Sequence, residues 1–98
     1  MTFSDFRVLN AAQGRFFFSR GAMRHFNSVI YGNTWNCKDG YFITGETSDP
    51  VKYARRYTIR HGDMVTGEVK TTEFQRFRSI EDARDTLKEL RQAALVTV

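Results

Sequence analysis

This sequence contains almost no cysteine and almost no proline. Cys37 is the only cysteine, so no disulfide can form within the chain, and a fold without one suits a reducing compartment. The only proline, Pro50, lies in a polar segment between two strand-like stretches, and no proline- or glycine-rich linker interrupts the chain. We therefore expect a single domain that spans residues 1–98.

Long apolar runs are also missing. No stretch approaches the roughly 20 consecutive apolar residues that a helix needs to cross a bilayer. The N-terminus lacks the cationic start, apolar run and small-residue cleavage site of a secretory signal. The sequence thus predicts a protein of the cytoplasm that makes no membrane contact.

Patterns that hold metals or cofactors are missing as well. One cysteine and two separate histidines, His25 and His61, give no zinc-binding spacing. The glycines form neither a P-loop nor a dinucleotide fingerprint. We expect neither a metal nor a cofactor.

The few residues with catalytic chemistry have simpler interpretations. Two histidines near an arginine can act as acid and base on RNA, and a cysteine beside a histidine can act as a nucleophile. A helix-flank position for His25, a turn position for His61 and a small buried or strand position for Cys37 explain these residues without catalysis. We therefore expect no catalytic residues and no enzyme activity.

Aromatic residues and positive charge are what the chain has in quantity. Nine phenylalanines, four tyrosines and one tryptophan predict an aromatic core. The formal net charge is +4, and residues 1–78 carry twelve Lys or Arg against seven Asp or Glu. A basic body indicates contact with nucleic acid or with an acidic protein surface.

The segment YARRYTIR, from Tyr53 to Arg60, predicts a half-buried antiparallel strand, because alternation along a strand divides its residues between two faces. We expect one face to pack and the other to display arginine to an acidic or phosphate-bearing partner. The packed face would hold Tyr53, Arg55, Tyr57 and Ile59, and the displayed face Ala54, Arg56, Thr58 and Arg60.

A helix is expected over about residues 20–30, capped by Ser19. Its outer face would carry Arg20, Arg24, Asn27 and Tyr31. Arginines in the first turns oppose the helix dipole, so an anion docked at the helix start is one interpretation and two solvated arginines are the other.

A second helix begins after Ser79, with Asp82 at the capping-box position. Its apolar residues recur at helical spacing and form one stripe that faces the core. The stripe consists of Ile80, Ala83, Leu87, Leu90 and Ala94.

Further strands lie between the helices. Residues 41–47 predict one strand, with Trp35 and Cys37 as a short strand beside it. The 53–60 strand and residues 64–70 predict a hairpin around His61-Gly62-Asp63. Residues 71–77 either continue that hairpin strand or form another, and burial of both Phe74 and Phe77 requires a bulge.

These elements predict a small single-domain α+β fold, an antiparallel sheet of three to five strands with two helices packed on one face. The other face is expected to be open. The segment before the first helix either adds an edge strand or packs across the sheet; its apolar residues are Phe3, Phe6, Val8, Leu9 and Phe16 to Phe18.

The element order is similar to that of the double-stranded RNA-binding domain, but the charges differ. That domain starts its second helix with phosphate-binding lysines, whereas Glu81, Asp82 and Asp85 occupy the corresponding turn here and repel phosphate. A sheet inserted in the DNA major groove is the better alternative, because it would use arginines for guanine contacts. Those arginines are Arg56, Arg60 and Arg76.

A spread-out pattern resembles a family of short, uncharacterised bacteriophage proteins. It consists of Phe16-Phe17-Phe18, Met23-Arg24, Phe26-Asn27-Ser28, Tyr41-Phe42-Ile43-Thr44 with Glu46, Arg55-Arg56-Tyr57-Thr58-Ile59-Arg60 and Glu73-Phe74-Gln75. The resemblance implies a phage or prophage origin and action in the cytoplasm of the host bacterium. Small phage proteins without catalytic residues often block a host complex, as anti-CRISPR and other anti-defence proteins do.

Three functions fit this sequence. The first is a non-enzymatic inhibitor that binds a host protein or nucleoprotein complex, such as a CRISPR or other defence effector, with Tyr31, Tyr41 or Trp35 as hot spots. The second is a small DNA- or RNA-binding regulator, and the third is a structural or dimerising accessory protein, as monomer or homodimer. The expected partner or nucleic-acid contacts are Arg20, Arg24, Arg56, Arg60, Arg76 and Tyr31.

Overall fold

A computed structural model describes residues 1–96, with side chains up to Ala93. It contains three α-helices, a short 3-10 turn and four strands. In chain order these are α1 (Phe3–Ala12), α2 (Arg20–His25), β1 (Val29–Tyr31), the 3-10 turn (Gly32–Thr34), β2 (Tyr41–Glu46), β3 (Arg56–Gly62), β4 (Val69–Phe77) and α3 (Ile80–Val96).

The four strands form one antiparallel sheet in the order β1-β2-β3-β4. Each strand therefore pairs with the next one along the chain. Ile43 marks the register, since it lies opposite Tyr31 on β1 and Ile59 on β3. The fold class expected from the sequence, a small α+β domain with an antiparallel sheet, is confirmed.

Helix α3 covers one face of the sheet. Ile43 and Ile59 from the sheet and Leu87 from α3 are at most 2% exposed, and Phe77 and Ala83 complete the buried cluster. The Ser79 hydroxyl accepts a hydrogen bond from the Asp82 N–H at 3.1 Å, which confirms the expected helix start. Of the expected stripe, Ile80 and Leu90 pack at its edge, and the side chain of Ala94 lies outside the described part of the chain.

Helix α1 and the phenylalanines that follow it cover the other face. Phe6 and Phe42 are fully buried there, and the ring of Phe3 lies 5.1 Å from that of Phe42. Trp35 stacks on Phe6 at 4.9 Å, so this layer is aromatic, as expected. The expectation of an open sheet face is therefore wrong, and of the two alternatives for the N-terminal segment, packing across the sheet is correct and an edge strand is not.

Helix α2 is much shorter than expected. It ends at His25, and Asn27 adopts a left-handed backbone with φ 47°, a conformation that asparagine tolerates better than most residues. Val29 and Ile30, expected on the helix, instead pair with β2 as strand β1. Their cross-strand pairing as β-branched residues thus outweighs the helical spacing that predicted a longer helix. Helix α2 buries none of its own residues. The two helices that cover the sheet are therefore α1 and α3, which lie on opposite faces.

The strand boundaries also differ from the expected ones. Tyr53 belongs to a turn in which its N–H donates to the Asp49 carbonyl at 2.9 Å, so β3 begins only at Arg56. Trp35 and Cys37 form no strand; β1 occupies the position beside β2 that they were expected to take. Cys37 is exposed, which also corrects the expectation that it is buried or part of a strand.

The expected hairpin of β3 and β4 is present, but its turn lies later than expected: His61 and Gly62 belong to β3, residues 63–68 connect the strands, and β4 runs from Val69 to Phe77. Its register with β3 shifts near Ile59, and Gln75 has a φ of 53°. This irregularity is a β-bulge. It buries Phe77 but leaves Phe74 49% exposed, so the two phenylalanines are not both in the core.

Candidate functional site

Arg60 lies inside the protein, in a network of polar side chains between β2, β3 and β4. It is 6% exposed, and its Nη2 atom donates to a carboxylate oxygen of Glu46 at 2.8 Å. Its Nε atom donates to the Thr44 hydroxyl at 2.9 Å and its Nη1 atom to the Thr71 hydroxyl at 2.6 Å. Every nitrogen of the guanidinium group therefore has a partner.

The partner carboxylate is equally well satisfied. Glu46 is fully buried and accepts hydrogen bonds from the hydroxyls of Thr44 and Thr58 in addition to Arg60. The ring of Phe17 lies 4.9 Å from the Arg60 guanidinium and shields it. A charge that is buried, paired and hydrogen-bonded in this way belongs to the interior and does not face a partner molecule.

The other expected contact arginines differ in their availability. Arg20 and Arg24 are exposed on α2, Arg56 is half-buried, and Arg76 is exposed but pairs with Glu73 at 2.9 Å. Tyr31 is half-buried, and its ring lies 5.9 Å from that of Tyr57. The structure does not bring these residues together with Arg60 on one exposed sheet face, because α1 covers that side.

Of the two interpretations of Arg20 and Arg24, solvated arginines fit the structure better than an anion site at the start of α2. The helix has six residues, and Ser19 already accepts a hydrogen bond from the Ala22 N–H at 3.2 Å. Arg24 and His25 lie in the last turn, where a cation favours the helix dipole.

Two further arginines connect elements of the fold. Arg55 donates to the carbonyl oxygens of Asn27 at 2.6 Å and Gly45 at 2.7 Å, which fixes the chain after α2 to β2. Arg91 on α3 pairs with Asp39 at 2.8 Å and donates to the Thr34 carbonyl at 2.9 Å. Both are scaffold residues.

A hollow of about 330 Å³ lies on the outer side of α1. We call it the cationic hollow; Arg7, Val8, Ala11, Arg15, Phe16 and Phe18 are among its lining residues. Phe16 is 73% exposed and Val8 is 69% exposed, so two large apolar side chains face solvent at the same place. The guanidinium of Arg7 lies 5.3 Å from the centre of the Phe18 ring.

The charged residues that line this hollow, Arg7 and Arg15, have one sign. Residues 6–38 contain Arg7, Arg15, Arg20, Arg24 and Lys38 but no Asp or Glu. Within residues 1–96, the ion pairs involve Arg60, Arg76 and Arg91, so none of the four arginines of this stretch has a carboxylate partner. Exposed cations without intramolecular counter-charge attract anions.

Three titratable rings, those of Tyr57, His25 and His61, lie against aromatic neighbours. Burial, and then the neighbouring Tyr31, raise the pKa of the Tyr57 phenol, so it ionises even less readily than an ordinary tyrosine. His25 packs edge-to-face on Phe26, and His61 does so on Tyr41, so each ring contacts an aromatic neighbour. No group of three or more His, Cys, Asp or Glu in the described part of the chain is arranged to hold a metal ion.

Comparison with known proteins places the chain in a family. A family model matches residues 2–88. The chain belongs to the DUF7447 family, a family of unknown function. The part that matches DUF7447 contains α1, the cationic hollow and the Arg60–Glu46 network, and it ends before Arg91. No curated protein and no solved structure matches the chain. Among residues 1–96, no helix has both the length and the apolar character required to cross a bilayer.

Sequence reasoning missed the residues of the cationic hollow, although two signals for them are present. Thr2 and Asp5 have the spacing of a capping box, and the structure forms both of its hydrogen bonds at the start of α1. The acid-free stretch from residue 6 to 38 marks where positive charge collects. Together these signals point to a helix that is followed directly by basic and aromatic residues.

Proposed function

We propose that the protein is a small non-enzymatic module that binds nucleic acid through the cationic hollow. The observation that carries the proposal is the exposure of Arg7 and Arg15 beside Phe16 in a stretch without carboxylates. Phosphate groups are the anions that such a surface fits, because arginine binds them through charge and through paired hydrogen bonds.

Several arginines outside the hollow already have partners within the protein. Arg55, Arg60 and Arg91 hold the fold, and Arg76 pairs with Glu73. The arginines of α1, the following segment and α2 have no such role. They are available for phosphates, and Arg20 directly follows Ser19, which also lines the hollow.

Binding of labelled nucleic acid, measured by fluorescence anisotropy at several salt concentrations, tests this proposal. The affinity should fall as salt rises, by about 0.7 to 0.9 logarithmic units per tenfold salt for each phosphate contact. The double variant Arg7→Glu/Arg15→Glu should lose binding and lower the salt slope.

The matched control is Arg84→Glu/Lys88→Glu, which makes the same change in net charge at two exposed positions of α3. The control should keep most of the binding. Equal losses in both double variants would mean that net charge alone, and no particular surface, attracts nucleic acid. Circular dichroism of each variant verifies the fold.

A second candidate is a protein-binding inhibitor of a host complex, in the host bacterial cytoplasm. The exposed apolar pair Val8 and Phe16 favours it, because aromatic anchors surrounded by arginine are typical of protein interfaces. The resemblance to phage proteins supports the same candidate. Inhibition of DNA cleavage by a purified CRISPR effector, relieved by Phe16→Asp, would favour this function over direct nucleic-acid binding.

A further inference from the structure

We infer that the nucleic acid bound at the cationic hollow is single-stranded, with one base stacked on Phe16 and the flanking phosphates held by Arg7 and Arg15. This inference rests on the proposed function and specifies its substrate class. It starts from a difference in solvent exposure among three consecutive phenylalanines.

Phe17 and Phe18 point into the protein, whereas Phe16 points out. The Phe17 ring covers Arg60 at 4.9 Å, and the Phe18 ring lies 6.2 Å from that of buried Phe42. Phe16 is 73% exposed. A phenylalanine left in water beside two packed ones gains nothing for the fold by its exposure, so its side chain is available to a ligand.

The backbone holds Phe16 in place on both sides. The N–H of Arg15 donates to the Asn10 carbonyl at 2.9 Å, and the N–H of Ser19 donates to the Phe16 carbonyl at 3.1 Å. The Asn10 side chain is itself buried and donates to the Gly67 carbonyl at 2.6 Å. The exposed ring therefore stands on a fixed segment, which lowers the entropy lost when a base stacks on it.

The charge pattern fits a phosphate on each side of that base. Arg15 precedes Phe16 in the chain, and Arg7 lines the same hollow with its guanidinium 5.3 Å from the centre of the Phe18 ring. Contact with an aromatic ring leaves the guanidinium N–H groups free to donate to a phosphate. Aromatic rings beside a cationic groove are the usual means by which proteins bind single strands.

The shape of the hollow separates single strands from duplexes. Its volume of about 330 Å³ is at the small end for ligand sites and suits a single base. Bases within a duplex are already stacked and paired, so Phe16 can reach one only after the base has left its stack. A duplex would meet the arginines alone.

The experiment compares a labelled oligothymidine, a duplex of the same length and an abasic single strand, at low salt, with the wild type and two Phe16 variants. Phe16→Ala should weaken oligothymidine binding about 5- to 150-fold, which converts the roughly 1–3 kcal/mol of one stacked base. Its effect on the duplex and on the abasic strand should be less than about 2-fold. Phe16→Trp should restore oligothymidine binding.

The matched control is Tyr53→Ala, which removes another exposed aromatic ring, 62% exposed, from a turn outside the hollow. It should leave all three affinities unchanged. If Phe16→Ala leaves oligothymidine binding unchanged, or weakens the duplex equally, the inference is overturned while the phosphate contacts of the proposed function stand. If the wild type binds none of the three probes, the proposed function fails, and the inference fails with it.

Discussion

At the scale of single residues, whether an arginine is buried or exposed depends on whether its charge has partners within the protein. Arg60 is buried because Glu46, Thr44 and Thr71 accept hydrogen bonds from all of its guanidinium nitrogens. Arg7 has the same side chain and no carboxylate partner, and it is exposed. Removing one partner from a buried ion pair leaves an uncompensated charge, and this makes such pairs sensitive to single substitutions.

The first prediction concerns this pair. Arg60→Met should reduce the free energy of unfolding by about 3–5 kcal/mol, because Glu46 would remain buried without its cation. Urea unfolding followed by circular dichroism measures the loss. The control, Arg76→Met, breaks an exposed pair and should cost less than about 1 kcal/mol.

A double variant tests whether the two charges act as a unit. Glu46→Leu/Arg60→Met should lose less stability than the sum of the two single variants, since neither charge is then left alone. Additive losses would contradict the pairing.

The second prediction concerns glycine. Gly40 has a φ of 77°, and a Cβ there would collide with the carbonyl oxygen of Gly62. Gly40→Ala should therefore cost about 1–3 kcal/mol or more in thermal or urea unfolding. Gly21, a helical position with open space around it, is the control, and Gly21→Ala should gain up to about 1 kcal/mol. The same effect for both variants would refute the backbone argument.

At the scale of elements, the molecule has a sheet between two different helical layers. The α3 layer is built on Ile43, Ile59 and Leu87, while the α1 layer is built on aromatic rings around Phe6 and Phe42. Strands buried on both faces lose the alternation of apolar and polar residues that an open sheet shows. Strand β3 nevertheless keeps this alternation, because on the α1 side Thr58 and Arg60 are buried through hydrogen bonds to Glu46 and Thr44.

The third prediction compares the two layers. Leu87→Ala should cost about 2–5 kcal/mol, and Phe6→Ala about 3–5 kcal/mol, because both side chains are buried at 2% exposure or less. Chemical denaturation gives both values. Val8→Ala is the control on α1, where 69% exposure predicts a change within about 0.5 kcal/mol. A loss below about 1 kcal/mol for Phe6→Ala would remove α1 from the core.

The sequence predicts the α3 layer better than the α1 layer. Ser79, Asp82 and the apolar stripe of α3 predict both the start and the buried face of that helix. The buried face of α1 includes Asn10, which is 2% exposed and donates to Gly67 far along the chain. A polar residue in the core interrupts the apolar pattern, and its partner is visible only after folding.

At the scale of the whole molecule, acid should weaken the fold partly through two exposed turns. The backbone N–H of Thr2 lowers the pKa of Asp5 below its usual 3.8, and those of Thr66 and Val65 do the same for Asp63. A carboxyl whose pKa is lower in the folded state contributes stability above its unfolded pKa and loses it as pH falls through the folded value.

The fourth prediction follows from these two carboxyls. The free energy of unfolding should fall between pH 5 and pH 3, an interval of about two units around the unfolded Asp pKa. Asp5→Asn/Asp63→Asn should show a smaller fall, since amides do not titrate. Urea midpoints at the two pH values give the comparison, with Asp85→Asn, an exposed position on α3, as control. An identical fall in the double variant and the wild type would contradict the assignment.

The sequence by itself determined what depends on near neighbours: the α+β class, helix α3, the strand at Tyr41–Glu46 and the hairpin of β3 and β4. Caps, alternation and turn residues act within a few positions, so they can be read along the chain. Only the tertiary structure decided which arginines are exposed and where α2 ends. Arg60 needs Glu46 on another strand and Phe17 from the N-terminal segment, and Val29 leaves the helical pattern because it pairs with Gly45. These contacts join distant parts of the chain, and their energy appears only once the sheet has formed.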